Sequence, residues 1–155
     1  MRPFCLLLMS LAFLACSESA RDSLDTGRAA LAEARYADAI EAAEAGVAAG
    51  ADERTAWGLE LLKLEALARD GRGEDTFNQL DLLAQERPDQ VTPSQYFTTA
   101  DQLRAAEQGA AAMLVLDSGL QRFPEDETLN ALLEDAKSAA PGSKEVEMLK
   151  KLGYL

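Results

Sequence analysis

The chain has 155 residues, 27 Asp and Glu against 15 Lys and Arg, a formal net charge of −12, no histidine and two cysteines. Without histidine there is no Ser-His-Asp or Cys-His site and no histidine-ligated metal, and two cysteines build neither a four-cysteine zinc site nor a disulfide framework. The acidic excess argues against binding nucleic acid through its phosphates. A composition of 48% apolar and 27% charged residues is that of a folded chain, long enough for one domain with a core.

The first segment reads as an address. Arg2 is a minimal basic region, and Phe4 to Ala15 is a nearly unbroken apolar run. That run is too short for a membrane-spanning helix, which needs about 20 apolar residues. It fits the apolar stretch of a secretory signal. It ends in Phe13-Leu14-Ala15-Cys16, followed by Ser17. This resembles the lipobox of bacterial lipoproteins, with Phe13 and Leu14 where that family usually has Leu and a smaller residue. The resemblance implies cleavage of residues 1–15 and diacylglycerol on the Cys16 thiol. Ser17, not Asp, after the cysteine is similar to the outer-membrane default. Two or three acyl chains, at about 0.8 kcal/mol per buried CH2, make a stable anchor. Cleavage removes one Arg and no acid, leaving 14 basic and 27 acidic residues, a formal −13. Attachment would then depend on lipid rather than on charge. The expected layout is a signal at 1–15, a lipidated polar tether at 16–21 and a helical domain at 22–155.

Beyond the leader the chain reads as all-α. Leu and Ala number 54, Val and Ile only five, so helix formers dominate and strand formers are scarce. Breakers cluster at Gly50, Gly71 with Gly73, Pro88, Pro93, Gly109, Pro124, Pro141 with Gly142, and Gly153, leaving helix-sized segments between them. Period-3.6 stripes run through Tyr36, Ile40, Ala43 and Val47, and then through Trp57, Leu61, Leu64 and Ala68. A third joins Leu80, Leu83 and Ala84, and a fourth Ala112, Leu116, Gly119, Leu120 and Phe123. Thr92-Pro93-Ser94-Gln95 is a helix start with a capping box. Leu129, Leu132, Leu133 and Ala136 give the next helix its apolar face. Ser143 caps a last helix striped by Val146, Leu149 and Leu152, and Gly153 ends it. Trp57 and Tyr96 are expected in the core. Tyr154 and Leu155 are placed to fold back onto the helices.

Two segments close alike, in Glu86-Arg87-Pro88-Asp89 and Arg122-Phe123-Pro124-Glu125, with prolines 36 residues apart and Gly73 and Gly109 each fifteen residues upstream. With Gly27, Tyr36, Ala39 and Gly46 in a first unit, and Tyr96, Ala100, Leu103, Gly109, Ala112, Leu116, Gly119 and Pro124 in a third, the chain resembles the tetratricopeptide-repeat (TPR) family. The resemblance implies a TPR-like helical-hairpin solenoid of about three repeats, at 22–51, 53–89 and 93–125, followed by capping helices at 126–139 and 143–152. One helix pair cannot bury both of its faces, so about three must stack.

In that family the first helices of each pair line a groove. The implied groove candidates are Arg28, Arg35, Glu65, Arg69, Phe97, Asp101 and Arg104, with Arg28 and Arg35 two turns apart on one face. Phe97, Asp101 and Arg104 fall on another face by i, i+4, i+7 spacing. Asp38, Glu41, Glu44, Asp81 and Asp117 are expected on the outer sides of the second helices. Arginines inside and acids outside suit an extended peptide bearing carboxylates, with Phe97 as apolar anchor. The family's Lys/Asn carboxylate clamp has no counterpart, since neither Asn78 nor Asn130 falls in place. No phosphate loop, G-x-S-x-G elbow or S-x-x-K motif is present. The expectation is therefore no enzyme, no metal and no cofactor. The chain reads instead as a periplasm-facing adaptor lipoprotein of the bacterial envelope with a protein or peptide partner, serving envelope assembly, secretion or pilus biogenesis. The rival reading is a structural lipoprotein that self-associates through residues 143–155.

Overall fold

The computed structural model of the chain describes residues 19–155, and among these every regular element is an α-helix. The expected leader and Cys16 lie outside the described residues. Helix α1 covers 19–32. It is followed by α2 (Tyr36–Ala48), α3 (Glu53–Arg69), α4 (Gly73–Glu86), α5 (Pro93–Ala105), α6 (Gly109–Arg122), α7 (Glu127–Lys137) and α8 (Lys144–Leu152). The polar stretch read as a tether is thus helical from residue 19, and Ala20 is already fully buried. The chain divides within α3 into two compact units, one through Ala66 and one from Leu67 to Leu155.

In the first unit Ala43, Leu59 and Leu62 form a core, with Leu24, Leu31 and Ala51 packed against it. Two glycines set how closely its helices approach. A Cβ on Gly27 would lie 2.5 Å from a Leu62 methyl, and one on Gly46 would lie 2.7 Å from Leu59 and 2.9 Å from Ser23. The buried side of α2 is therefore Ala39, Ile40, Ala43 and Gly46. The expected stripe ended at Val47 instead. Because Gly46 takes the close contact, Val47 is turned about 100° away and stays 39% exposed. On α3, Leu59, Leu62, Leu64, Ala66, Leu67 and Ala68 are buried, whereas Trp57 and Leu61 are only half-buried. Trp57 is thus not the core residue expected.

The second unit matches the sequence reading more closely. Leu80, Leu83 and Ala84 are buried on α4, and Tyr96, Ala100 and Leu103 on α5. So are Ala112, Leu116, Gly119 and Leu120 on α6 and Leu129, Leu132, Leu133 and Ala136 on α7. The predicted caps form. Thr92 N–H donates to Gln95 Oε1 (2.9 Å), Val146 N–H donates to Ser143 Oγ (3.2 Å), and Gly153 closes α8 in the left-handed region at φ 85°. Asp126, which carried no sequence expectation, caps α7 by accepting from Thr128 N–H (3.1 Å) and Leu129 N–H (3.0 Å). From α4 to α8 each helix packs against the next and the next-but-one, and the Arg104–Glu145 pair also joins α5 to α8.

The connection after every first helix repeats. Ala34, Gly71 and Glu107 lie 37 and 36 residues apart, at φ 57°, 73° and 59°. The next residue donates its N–H five residues back, Arg35 to Ala30 O (2.9 Å), Arg72 to Leu67 O (3.1 Å) and Gln108 to Leu103 O (2.8 Å). These are the hydrogen bonds of a Schellman closure. The same residue then opens the following helix by accepting from the fourth residue on, Ala39, Thr76 and Ala112, all of which are fully buried. The exits of α4 and α6 also match. Arg87 and Phe123 sit at φ −132°, ψ 59° and φ −131°, ψ 66°, each just before the proline noted in the sequence.

Candidate functional site

The predicted groove residues do not share one fate. Arg28 lies on α1, is exposed, and is 3.6 Å from Asp25 one turn earlier. Arg35 is not on that helix. The left-handed turn at Ala34 ends α1, and Arg35 is the residue from which α2 starts. It pairs there with Glu33 (2.8 Å) and with Asp38, and these two carboxylates, Glu33 first, raise its pKa. The expected face holding both Arg28 and Arg35 therefore does not exist. Glu65 and Arg69 are four residues apart on α3, Glu65 half-buried and Arg69 exposed.

Phe97, Asp101 and Arg104 do lie on α5 with the expected spacing, Phe97 half-buried and Asp101 exposed. Arg104, however, is held within the fold. Its Nε donates to Glu145 Oε1 at 2.9 Å and its Nη1 is 2.8 Å from Asp135 Oδ2. Burial opposes the charge on the guanidinium, but the hydrogen bonds to Glu145 and Asp135 outweigh it and raise the pKa. The side chains of Arg104 and Glu145 are only 24% and 18% exposed. An arginine expected to greet a partner's carboxylate already holds two of the chain's own, tying α5 to α7 and α8. Charge-assisted bonds of this kind are among the stronger ones. Nothing in the sequence flagged Glu145, since it lies 41 residues from Arg104.

Aligning the three turns puts Arg28, Glu65 and Asp101 at one repeat position and Leu24, Leu61 and Phe97 at another, each 37 and 36 residues apart. One position is polar with mixed charge and the other apolar and half-buried. In the first unit, a groove of about 400 Å³ between α1 and α2 carries Asp22, Asp38 and Glu41 beside the hydroxyls of Ser19, Ser23 and Thr26. Asp38, Glu41 and Glu44 on α2 are exposed as expected, and the first two border this open groove.

Tyr154 folds back as expected, whereas Leu155 stays 55% exposed. Tyr154 OH donates to Asp117 Oδ1 on α6 at 2.8 Å, and burial, then this carboxylate, pushes its pKa up to about 12. Val146 and Leu149 are buried. The apolar stripe that the rival reading needed for self-association is thus used within the chain. Among the described residues no group of three or more Cys, Asp or Glu is placed to hold a metal ion, and no helix is long and apolar enough to cross a membrane.

No family model, no curated protein and no solved structure matches this chain.

Proposed function

We propose that the chain is a lipid-anchored adaptor of the bacterial envelope, periplasm-facing, in which a TPR-like stack of helix pairs positions a protein partner. The observation that carries this reading is the thrice-repeated turn at Ala34, Gly71 and Glu107, downstream of a leader ending in Ala15-Cys16. Stacked pairs of this kind offer extended surfaces suited to binding other proteins. The packing of α4 to α8, each on the next and next-but-one, supports the same reading. A row of free arginines no longer does, because Arg35 and Arg104 serve neighbouring acids. The recognition chemistry is better placed on α5, where half-buried Phe97 and exposed Asp101 lie one turn apart. A half-buried aromatic beside a polar residue is a common anchor in interfaces.

Two measurements test the two halves of the reading. Palmitate labelling should mark the wild type and spare Cys16→Ser. Equal labelling of both would remove the lipid anchor. A photo-reactive residue placed at position 97 or 101 in growing cells should give adducts to another protein that are absent with the same residue at exposed Gln121. Identical patterns at all three positions would remove α5 as the recognition surface.

A further inference from the structure

The last helix is held like a bound ligand. Its nine residues, Lys144–Leu152, are too few to form a stable helix alone, so α8 exists only where it is docked. Three ties dock it. Glu145 meets Arg104 across 41 residues of sequence, Tyr154 meets Asp117 across 37, and Val146 and Leu149 are buried. The fit is tight at its start. A Cβ on Gly109, the first residue of α6, would lie 2.7 Å from Glu145 Cγ, so a larger residue there would force the Glu145 side chain to shift. By contrast, the connection from α7 is weakly held. Ser138, Ala140, Pro141 and Gly142 are exposed, and the backbone bonds of Ser138, Ala139 and Ser143 all go to residues three positions back. Gly142, at φ 87°, has open space around it. Swinging α8 away would break the three ties and the packing of α8 on α6 and α7.

We propose that the seat of α8, formed by Arg104, Asp135, Gly109 and Asp117 on α5, α6 and α7, is a docking surface that also accepts α8 from a second copy of this chain. The ligand chemistry that fits the seat is carried by the chain: an acid at the second helical position, apolar residues at i and i+3, then a glycine turn and a phenol. A second copy offers all of it in the same geometry, so exchange replaces every contact with its equal, which is why swapping of an identical element is a low-cost route to a dimer. The result is an isologous pair linked through two exchanged C-terminal helices. This differs from a seam of two outward apolar stripes, because Val146 and Leu149 stay buried in both states. The inference stands whether or not Cys16 carries lipid.

The Arg104–Glu145 pair supplies the test. In full-chain Arg104→Glu, the new acid and Asp135 both face the chain's own Glu145, and in Glu145→Arg, two cations share the single Asp135 carboxylate. Each variant therefore seats its own α8 less well than the other variant's, and each α8 matches the other variant's seat. Density-matched sedimentation of the purified full chains in detergent should give monomers for each variant alone and a two-chain species for the equimolar mixture. The cis double variant Arg104→Glu/Glu145→Arg should return to the wild-type mass. A mixture that remains monomeric, with helical content preserved, overturns the proposal. Should either single variant fail to fold, deletion of residues 139–142 carries the test. It leaves two residues between α7 and α8, fewer than the three that join α5 to α6, which disfavours the chain's own seat but not a neighbour's, so a dimer is expected and a monomer overturns the proposal.

Discussion

The turn at Ala34 and the turn at Gly71 trace one backbone path with different residues. Both hold a left-handed residue, both close with an N–H bonded five residues back, and both open the next helix from the residue after. Glycine takes that conformation freely, whereas alanine pays roughly 1–2 kcal/mol for it. The third turn uses Glu107, an even less obvious choice. The repeat is therefore kept by the fully buried small residues early in each second helix, Ala39, Thr76 and Ala112, and not by the residue that makes the turn. Close approach of paired helices fixes the geometry, and the turn residue is pulled along with it.

The strongest way to break this comparison is to move the side chain of one pair into another. Positions 46, 83 and 119 are equivalent, yet carry Gly, Leu and Gly. Gly119 lies where a Cβ would come within 2.9 Å of Tyr96 Cβ and 3.2 Å of a Leu129 methyl. Tyr96 Cβ is next to the backbone and cannot step aside. Gly119→Ala is expected to cost about 1–3 kcal/mol by overpacking, read as a lower urea midpoint with an unchanged slope. A neutral Gly119→Ala would mean that α5 and α6 are not held by this approach, and the equivalence with the first pair would lose its physical basis.

A smaller effect probes the turns themselves. Gly71 has room for a methyl, its nearest neighbour being Gln108 Nε2 at 3.6 Å, so Gly71→Ala meets backbone strain alone and should cost about 1 kcal/mol. In the opposite direction, Glu107→Gly removes that strain and should gain about 0.5–1 kcal/mol, less what glycine adds to the entropy of the unfolded chain. Thermal unfolding of the two variants should shift in opposite directions. A loss from Glu107→Gly would show that its side chain holds the turn, making the three turns alike in shape only.

How far the sequence reaches is clear from the same residues. The helices of the second unit, their caps at Thr92 and Ser143 and the stop at Gly153 were legible because each rests on a local rule: a spacing of apolar residues or a side chain that satisfies nearby N–H groups. The prolines at 88 and 124 marked two matching exits for the same reason. Ala34 and Glu107 were not legible as turn centres, since neither residue type announces a positive φ. Among the groove candidates, spacing placed Phe97, Asp101 and Arg104 on one helix correctly. It could not show that Arg104 is held by Asp135 and Glu145, because that pairing depends on how α7 and α8 fold back. Arg35 was misplaced by extending a helix through a turn with no glycine in it.

The end of α8 is a fourth instance of the same closure, and it sharpens the comparison most finely. Gly153 N–H donates to Lys150 O (3.2 Å) and Tyr154 N–H to Leu149 O (3.0 Å), as at the three internal turns. There, however, the chain goes on into a helix, whereas here the Tyr154 phenol takes hold of Asp117. Burial and the adjacent carboxylate both favour the neutral phenol, so its pKa rises from 10.0 to about 12. A folded-state pKa above the unfolded one means a contribution fully present below pH 10 and lost as pH climbs towards 12. The phenol is partly solvated, so the contribution is small, about 1 kcal/mol or less. Tyr154→Phe should therefore be slightly less stable than the wild type at neutral pH, with the difference closing between pH 10 and 12. Ultraviolet titration of the wild type minus Tyr154→Phe should show one phenol ionising near pH 12. Ionisation near 10 would mean that the tail is not fastened to Asp117, and that the fourth closure holds α8 by its backbone alone.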